Sequence, residues 1–270
     1  MSEWLPVIIG LLGTGVVAGV LAGLLGVGGG IVIVPVLYWL FQHLGISAPT
    51  AMSVATATSL ATIVPTSISS IRSHHKRGNV DFDLLKLWSP AIILGVILGA
   101  SVSTHISGHW LTLMFGIIAM LVAINMLFRS KAAPLAQSLP GTWAQRFMGG
   151  CVGLLSVMVG IGGGTLGVPL LTSFNVAAHR AVGTAAAFGL LIALPGVITM
   201  LVTGSAPADA PVGTLGLVNL PGFALIVPLT VLCAPLGVAL GQKLDQAMLK
   251  KIFAVCLAFT GTRMLLQVLS

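Results

Sequence analysis

Two glycine-rich segments stand out as places where the chain could bind a ligand, GVGGGIVIVP at 26–35 and GIGGGTLGVP at 160–169. Three consecutive glycines cost about 1 kcal/mol each relative to alanine inside a helix, so each segment predicts a helix break. New half-helices would then begin at Ile31 and Thr165, and their first amide N–H groups would lack intrahelical acceptors. Such a helix end carries about half a positive charge and binds anions without a cationic side chain.

Hydroxyl side chains within the apolar spans are the second group of candidate ligands, because a hydroxyl can donate to an oxyanion and still release it. Two structural explanations remain open. The glycines could serve close helix packing, and the hydroxyls could bond the carbonyls of their own helices. The residues predicted to bind substrate are Gly28, Gly29, Gly30, Ile31, Gly162, Gly163, Gly164, Thr165, Thr56, Ser59 and Thr184.

The composition excludes a water-soluble protein. Of 270 residues, 57% are hydrophobic and only 6% are charged, whereas about a quarter of the residues of a soluble domain are charged. A mean hydropathy of +1.11 and recurring apolar runs of about 20 residues fit helices that cross a lipid bilayer. The chain is predicted to be a polytopic membrane protein. Its basic residues lie between apolar runs, so they predict orientation rather than nucleic-acid binding.

Other classes of chemistry lack the residues that they need. The three cysteines lie in apolar segments without CxxC spacing, so we expect no metal site and no cofactor. The sequence contains no HExxH or GxSxG motif, which argues against a membrane-embedded enzyme. No Asp or Glu falls within a proposed span, and the histidines are expected to be interfacial. Carboxylate-based proton coupling is therefore disfavoured.

Apolar runs and basic residues together predict a topology. The runs at 147–159 and 165–176 have only 13 and 12 residues, about 20 and 18 Å of helix, and are predicted to form a re-entrant hairpin. If both glycine breaks are hairpins, both termini are periplasmic and eleven basic residues face the cytoplasm. Continuous crossings are the alternative. The eleven are Arg72, Lys76, Arg77, Lys86, Arg129, Lys131, Arg146, Arg180, Lys243, Lys250 and Lys251; Arg263, inside the last run, is the exception.

An internal repeat divides the chain into two halves. Residues 19–35 recur at an offset of 134, so that Gly28 matches Gly162, and Pro65 matches Pro195 at an offset of 130. We assign residues 1–130 to the first repeat, 131–145 to a cytoplasmic linker and 146–270 to the second repeat. Five segments in each half, an odd number, predict an all-α fold of two inverted-topology repeats, each a glycine-rich hairpin plus three transmembrane helices. Secondary transporters commonly have this architecture.

Four motifs resemble those of the TauE/SafE family of sulfite exporter-like permeases: GLLGVGGGIVIVP at 23–35, VGIGGGTLGVP at 159–169, HHKRGNVDF at 74–82 and GLVNLP at 216–221. The similarity extends over nearly the whole chain. It implies export of a small anion, such as sulfite or sulfoacetate, across a bacterial inner membrane. A passive anion channel and a non-transporting accessory subunit are the alternatives, and the sequence leaves a homo-oligomer open.

Overall fold

The structure is a computed structural model that describes residues 4–128, 136–241 and 246–269. These residues form ten helices and one two-stranded hairpin. The helices are α1 (Trp4–Leu25), α2 (Gly30–His43), α3 (Ala48–His75), α4 (Phe82–Ser103), α5 (Gly108–Phe128), α6 (Thr142–Val159), α7 (Gly163–Ser173), α8 (Ala178–Thr203), α9 (Leu220–Leu240) and α10 (Gln246–Leu269), and the strands are β1 (Thr214–Leu215) and β2 (Val218–Asn219). Arg129, Lys131, Lys243 and part of the predicted linker lie outside the described residues.

The protein is an all-α polytopic membrane protein, as the composition predicts. Six of the described helices, α1, α3, α4, α5, α8 and α9, are long and apolar enough to cross a membrane. Large apolar side chains such as Leu94, Leu121 and Leu232 are more than half exposed on their surfaces. An apolar exterior of this kind suits contact with lipid tails rather than water.

Three details differ from the sequence-based expectation. Helix α6 begins at Thr142 rather than Phe147, because the polar turn before the apolar run is held by Trp88, whose Nε1 donates to Gln145 Oε1 at 3.1 Å. The short hairpin of β1 and β2 was not predicted. His74 is buried rather than interfacial, because its Nε2 lies 2.9 Å from the carbonyl oxygen of Gly23, which accepts its hydrogen bond.

Glycines bring the outer helices into close contact. Gly15 of α1 lies against Ile226 and Gly23 lies against Ala234, so α1 and α9 run parallel. A Cβ at Gly23 would lie only 1.9 Å from the Ala234 carbonyl oxygen. Helices α4 and α6 pack in the same parallel manner, with Gly153 against Ile92. Small residues therefore form both interfaces, as is common between membrane helices.

The central helices pack antiparallel. Helix α3 crosses α8 with Leu60 near Gly196 and Ser67 near Gly189, and these pairings run in opposite directions along the two helices. Helices α5 and α10 contact each other through Gly116 and Gly261, also antiparallel. The two glycine-rich segments lie between these layers and contact both α3 and α8. This arrangement buries the predicted binding residues in the middle of the fold.

Candidate functional site

Each glycine-rich segment interrupts the helical backbone. Helix α1 ends at Leu25 and α2 begins at Gly30, and Gly29 at its N-cap has φ 82°. Helix α6 ends at Val159, followed by Gly160 with φ 71°, and α7 begins at Gly163. Gly29 and Gly160 therefore adopt the left-handed conformation that side-chain-bearing residues rarely occupy. Both new helices begin within a residue or two of the positions that the sequence predicts.

The two segments are in direct backbone contact. A Cβ at Gly164 would lie 2.1 Å from the carbonyl oxygen of Gly26, and one at Gly162 would lie 2.3 Å from that of Val27. Even a methyl group is therefore excluded where the two segments cross. Close packing explains why these residues are glycines, and it also places the first turns of α2 and α7 next to each other.

The amide groups at the start of α2 and α7 are available for a ligand. Within the described chain, no acceptor is found for the N–H groups of Gly30 and Ile31, or for those of Gly163 and Gly164. These helices have 14 and 11 residues, so each has the alignment of peptide dipoles that makes its N-terminus positive. Two positively polarised helix ends thus lie together in a buried environment.

A narrow recess, too small in this structure to admit a water molecule, lies where these helix ends meet α5. Ile31 and Thr165, the residues predicted to begin the half-helices, both line it. The remaining walls are apolar and come from α5 and from the ends of the breaks: Phe115, Ile118, Ala119, Val159 and Ile161. Because these walls exclude water, a polar donor in the recess would interact strongly with an anion.

Several buried hydroxyls near the breaks lack a hydrogen-bond partner. Among the described residues these include Thr56, Ser156 and Thr165, each at most 2% exposed. Ser59 differs, because its hydroxyl donates to the carbonyl oxygen of Gly160 at 2.8 Å and so joins the two halves. Thr56 and Thr165 thus keep a free donor, whereas Ser59 does not. Ser156 was not predicted, and it lies four residues before Gly160 without a hydroxyl at the matching position, Ala22.

Thr184 lies elsewhere in the structure. Its hydroxyl accepts the backbone N–H of Asp81 at 2.9 Å, at the loop that precedes α4. The Asp81 carboxylate accepts from the N–H of Leu84 as the N-cap of α4, and it forms an ion pair with Arg180 at 2.6 Å. Thr184 therefore holds the loop between α3 and α4, in the first half, against α8 of the second half, and its hydroxyl oxygen accepts a hydrogen bond there.

A similar arrangement occurs on α9, 138 residues later. Asn219 donates its backbone N–H to the hydroxyl of Thr58 at 2.8 Å, and its side chain caps α9 by accepting from Gly222. Both caps thus hold the start of one helix against a threonine of the other half. The sequence carries a signal for this pair, because GNVDF at 78–82 aligns with GLVNL at 216–220.

Asp209 forms a third connection between the halves. Its carboxylate accepts from the backbone N–H of Ser47 at 3.1 Å and from the hydroxyl of Thr50 at 2.7 Å, at the start of α3. These hydrogen bonds from Ser47 and Thr50 lower the pKa of Asp209 to about 2. The group lies in the loop before α9, outside the predicted spans.

Comparison with known proteins gives consistent results. The sequence model of the family described as "Sulfite exporter TauE/SafE" matches residues 11–264. A probable membrane transporter protein of Haemophilus influenzae is 32% identical, covering 94% of this chain and 96% of its own length. Relatives of the same description from Methanocaldococcus jannaschii and Bacillus subtilis are 28% and 26% identical, covering 95% and 94% of this chain and 94% and 95% of their own lengths. No solved structure matches the chain.

Proposed function

Because the chain belongs to the TauE/SafE sulfite exporter family, we propose that it is a secondary transporter that exports a small anion across the bacterial inner membrane. A sulfur oxyanion or a small organosulfonate, such as sulfite or sulfoacetate, is the first candidate. One observation carries this proposal, namely two helix N-termini with unpaired amides beside a buried recess that Thr165 lines. The binding residues proposed from the sequence belong to the same site, except Thr184, which lies at the loop before α4.

The chemistry of the site favours release as well as binding. Backbone amides and hydroxyls donate hydrogen bonds to an oxyanion, and no Lys or Arg lines the recess. An anion held in this way is bound weakly enough to leave again. An exported monoanion gains about 2.3 kcal/mol per 100 mV from an inside-negative potential, so export can proceed without a coupled ion.

The helix packing supports inverted repeats. Exchanging the halves relates α1 to α6 and α4 to α9, so it converts the α1–α9 pair into the α6–α4 pair. It also relates α3 to α8 and α5 to α10, and both of these pairs are antiparallel. A two-fold axis in the membrane plane makes equivalent helices of the two halves antiparallel in this way. We propose that the breaks are re-entrant hairpins and that the halves rock around them in alternating access.

The experiment is efflux from proteoliposomes under a set membrane potential, with sulfite, sulfate, thiosulfate, sulfoacetate and chloride. We expect saturable flux of at least one sulfur anion, and stimulation by the same anion on the opposite side. Non-saturable flux without this stimulation would favour an anion channel. If folded protein moves none of these anions, the proposed function is wrong, and an accessory subunit becomes the better explanation.

A matched pair of variants connects transport to the breaks. A Cβ at Gly163 would already collide with Phe188 and Gly189 of α8, whereas a Cβ at Gly13 of α1 would have no neighbouring atom within 4 Å. We therefore expect Gly163→Leu to abolish flux and Gly13→Leu to retain it. Normal flux in folded Gly163→Leu protein would contradict the assignment of the site.

A further inference from the structure

Ser67 of α3 is a buried hydroxyl that neither the sequence motifs nor the packing accounts for. It is 1% exposed, and its Oγ has no hydrogen-bond partner among the described residues. A serine in a helix ordinarily bonds a carbonyl one turn earlier, as the neighbouring Thr66 does with Thr62. Ser67 does not, so its hydroxyl stays free inside the fold.

The free hydroxyl lies beside the N-terminus of α7. A Cβ built at Gly189 of α8 would lie 2.8 Å from Ser67 Oγ and 3.8 Å from the amide nitrogen of Gly163. Both groups therefore lie close to Gly189, and the Ser67 hydroxyl occupies the position that a side chain at Gly189 would need. The N–H groups of Gly163 and Gly164 are unpaired within the described chain. A hydroxyl and a helix N-terminus thus converge on one buried position.

The internal repeat explains why Ser67 occupies this position. Gly189 corresponds to Ser59 at the offset of 130 that aligns α3 with α8. Ser59 lies beside the first break, 2.9 Å from a Cβ built at Gly30. The second half lacks this hydroxyl, and Ser67, from the first half, lies where it would be. Each break therefore has one serine of α3 beside it. The hydroxyl of Ser59 is bonded to Gly160, whereas the hydroxyl of Ser67 has no partner among the described residues.

We propose that Ser67 is a ligand of the transported anion and donates its hydroxyl hydrogen to an oxyanion oxygen held at the N-terminus of α7. This inference rests on the proposed function and adds a residue to its site. A buried donor without an acceptor is costly unless a ligand satisfies it. The groups that converge here are all donors, and an anion with several oxygens is the ligand that such a set recognises.

The test is Ser67→Ala, measured by anion concentration dependence of flux and by anion-induced thermal stabilisation of the purified protein. We expect the half-saturating anion concentration to rise about tenfold, because a hydrogen bond to a charged group is lost. Ser69→Ala is the matched control, since Ser69 lies on the same helix and donates to the carbonyl of Val231. Its effect on anion affinity should stay below about twofold.

A second substitution separates a ligand from a structural residue. Removing the Ser67 hydroxyl makes room for a side chain at Gly189, so Ser67→Ala with Gly189→Ser returns a hydroxyl from α8 instead of α3. We expect this double variant to recover most of the lost affinity. An unchanged affinity in Ser67→Ala, or no recovery in the double variant, would overturn the inference while leaving the transporter intact. If wild-type protein shows neither flux nor stabilisation with any anion, both proposals fail.

Discussion

At the scale of single residues, the glycines of the breaks differ in how much space they have. A Cβ at Gly163 would lie 2.4 Å from the Phe188 Cβ and 2.8 Å from the amide nitrogen of Gly189. Four residues on, a Cβ at Gly167 would lie 3.2 Å from the ring atom Cδ2 of Phe188, which a small ring movement can accommodate. Alanine at each of the two positions removes a glycine from α7, but only alanine at 163 would collide with α8. Comparing the two variants therefore isolates the effect of the close contact between α7 and α8.

We expect Gly163→Ala to lower the free energy of unfolding by about 1–3 kcal/mol, because overpacking forces the α7–α8 contact apart. Gly167→Ala should cost less. Thermal unfolding of the protein in detergent measures both. Equal stability losses in the two variants would show that the contact with Gly189 does not limit the size of residue 163.

Thr165→Val tests the hydroxyl in the recess without changing its shape. The Thr165 Oγ1 has no partner among the described residues, so its removal should leave stability unchanged or raise it slightly. We expect the half-saturating anion concentration in the flux assay to rise about tenfold. Thr172→Val is the control, because Thr172 lies on the same helix and bonds the carbonyl of Val168. A normal affinity in Thr165→Val would remove Thr165 from the site.

The sequence predicts part of this site because the repeat marks it twice. Ile31 and Thr165 follow the matched glycines, and both line the recess. Thr184 was predicted to bind substrate, and the sequence could not show that its hydroxyl accepts from Asp81, because that residue comes from a distant loop. Ser67 was missed for a related reason. The matching residue in the other half is Val197, which has no hydroxyl. Ser67 lies near Gly163 only because α3 and α8 cross at Gly189.

At the scale of elements, the caps of α4 and α9 connect the halves at two places. Asp81→Ala removes the cap on Leu84 and the ion pair with Arg180. We expect a loss of about 1 kcal/mol in unfolding free energy, mainly from the cap, since exposed ion pairs contribute little. Asp83→Ala, in the first turn of the same helix, should cost less than half as much. Similar unfolding curves for the two variants would contradict this assignment.

The contact between the 204–220 loop and α3 should depend on pH. Hydrogen bonds from Ser47 and Thr50 hold the pKa of Asp209 near 2, below its ordinary value of 3.8. A lowered carboxylate pKa means that its stabilising contribution is complete above the unfolded value and is lost as the pH falls from about 4 towards 2. Unfolding temperatures measured across this range should therefore fall more steeply for wild-type protein than for Asp209→Asn. Parallel curves would show that the carboxylate contributes nothing.

The element boundaries were harder to predict than the elements themselves. Long apolar runs mark the helices, because lipid requires an apolar surface along the whole span. A polar first turn carries no such signal, and for this reason α6 begins at Thr142, five residues before its apolar run at 147–159. A contact between distant parts of the chain, that of Trp88 with Gln145, holds this first turn in place.

At the scale of the whole molecule, the hairpin topology predicts which loops face which side. Lys76 lies in the basic loop after α3, and Val212 lies in the exposed loop before α9. Each is replaced by cysteine, one at a time, in a protein from which the native cysteines have been removed. We expect a membrane-impermeant thiol reagent to label position 212 in intact cells and position 76 only after the membrane is disrupted. Labelling of both positions from the same side would contradict the topology.

The parallel pairing of α1 with α9 also affects how the protein is made. The ribosome completes α1 some 200 residues before α9, so Gly15, Gly19 and Gly23 have no partner while most of the chain is synthesised. Helix α4 likewise waits for α6. The first half therefore enters the bilayer with its tightest interfaces unformed, and its final assembly is delayed until the last helices leave the translocon. During this interval the glycine face of α1 lacks the helix against which it packs in the finished fold.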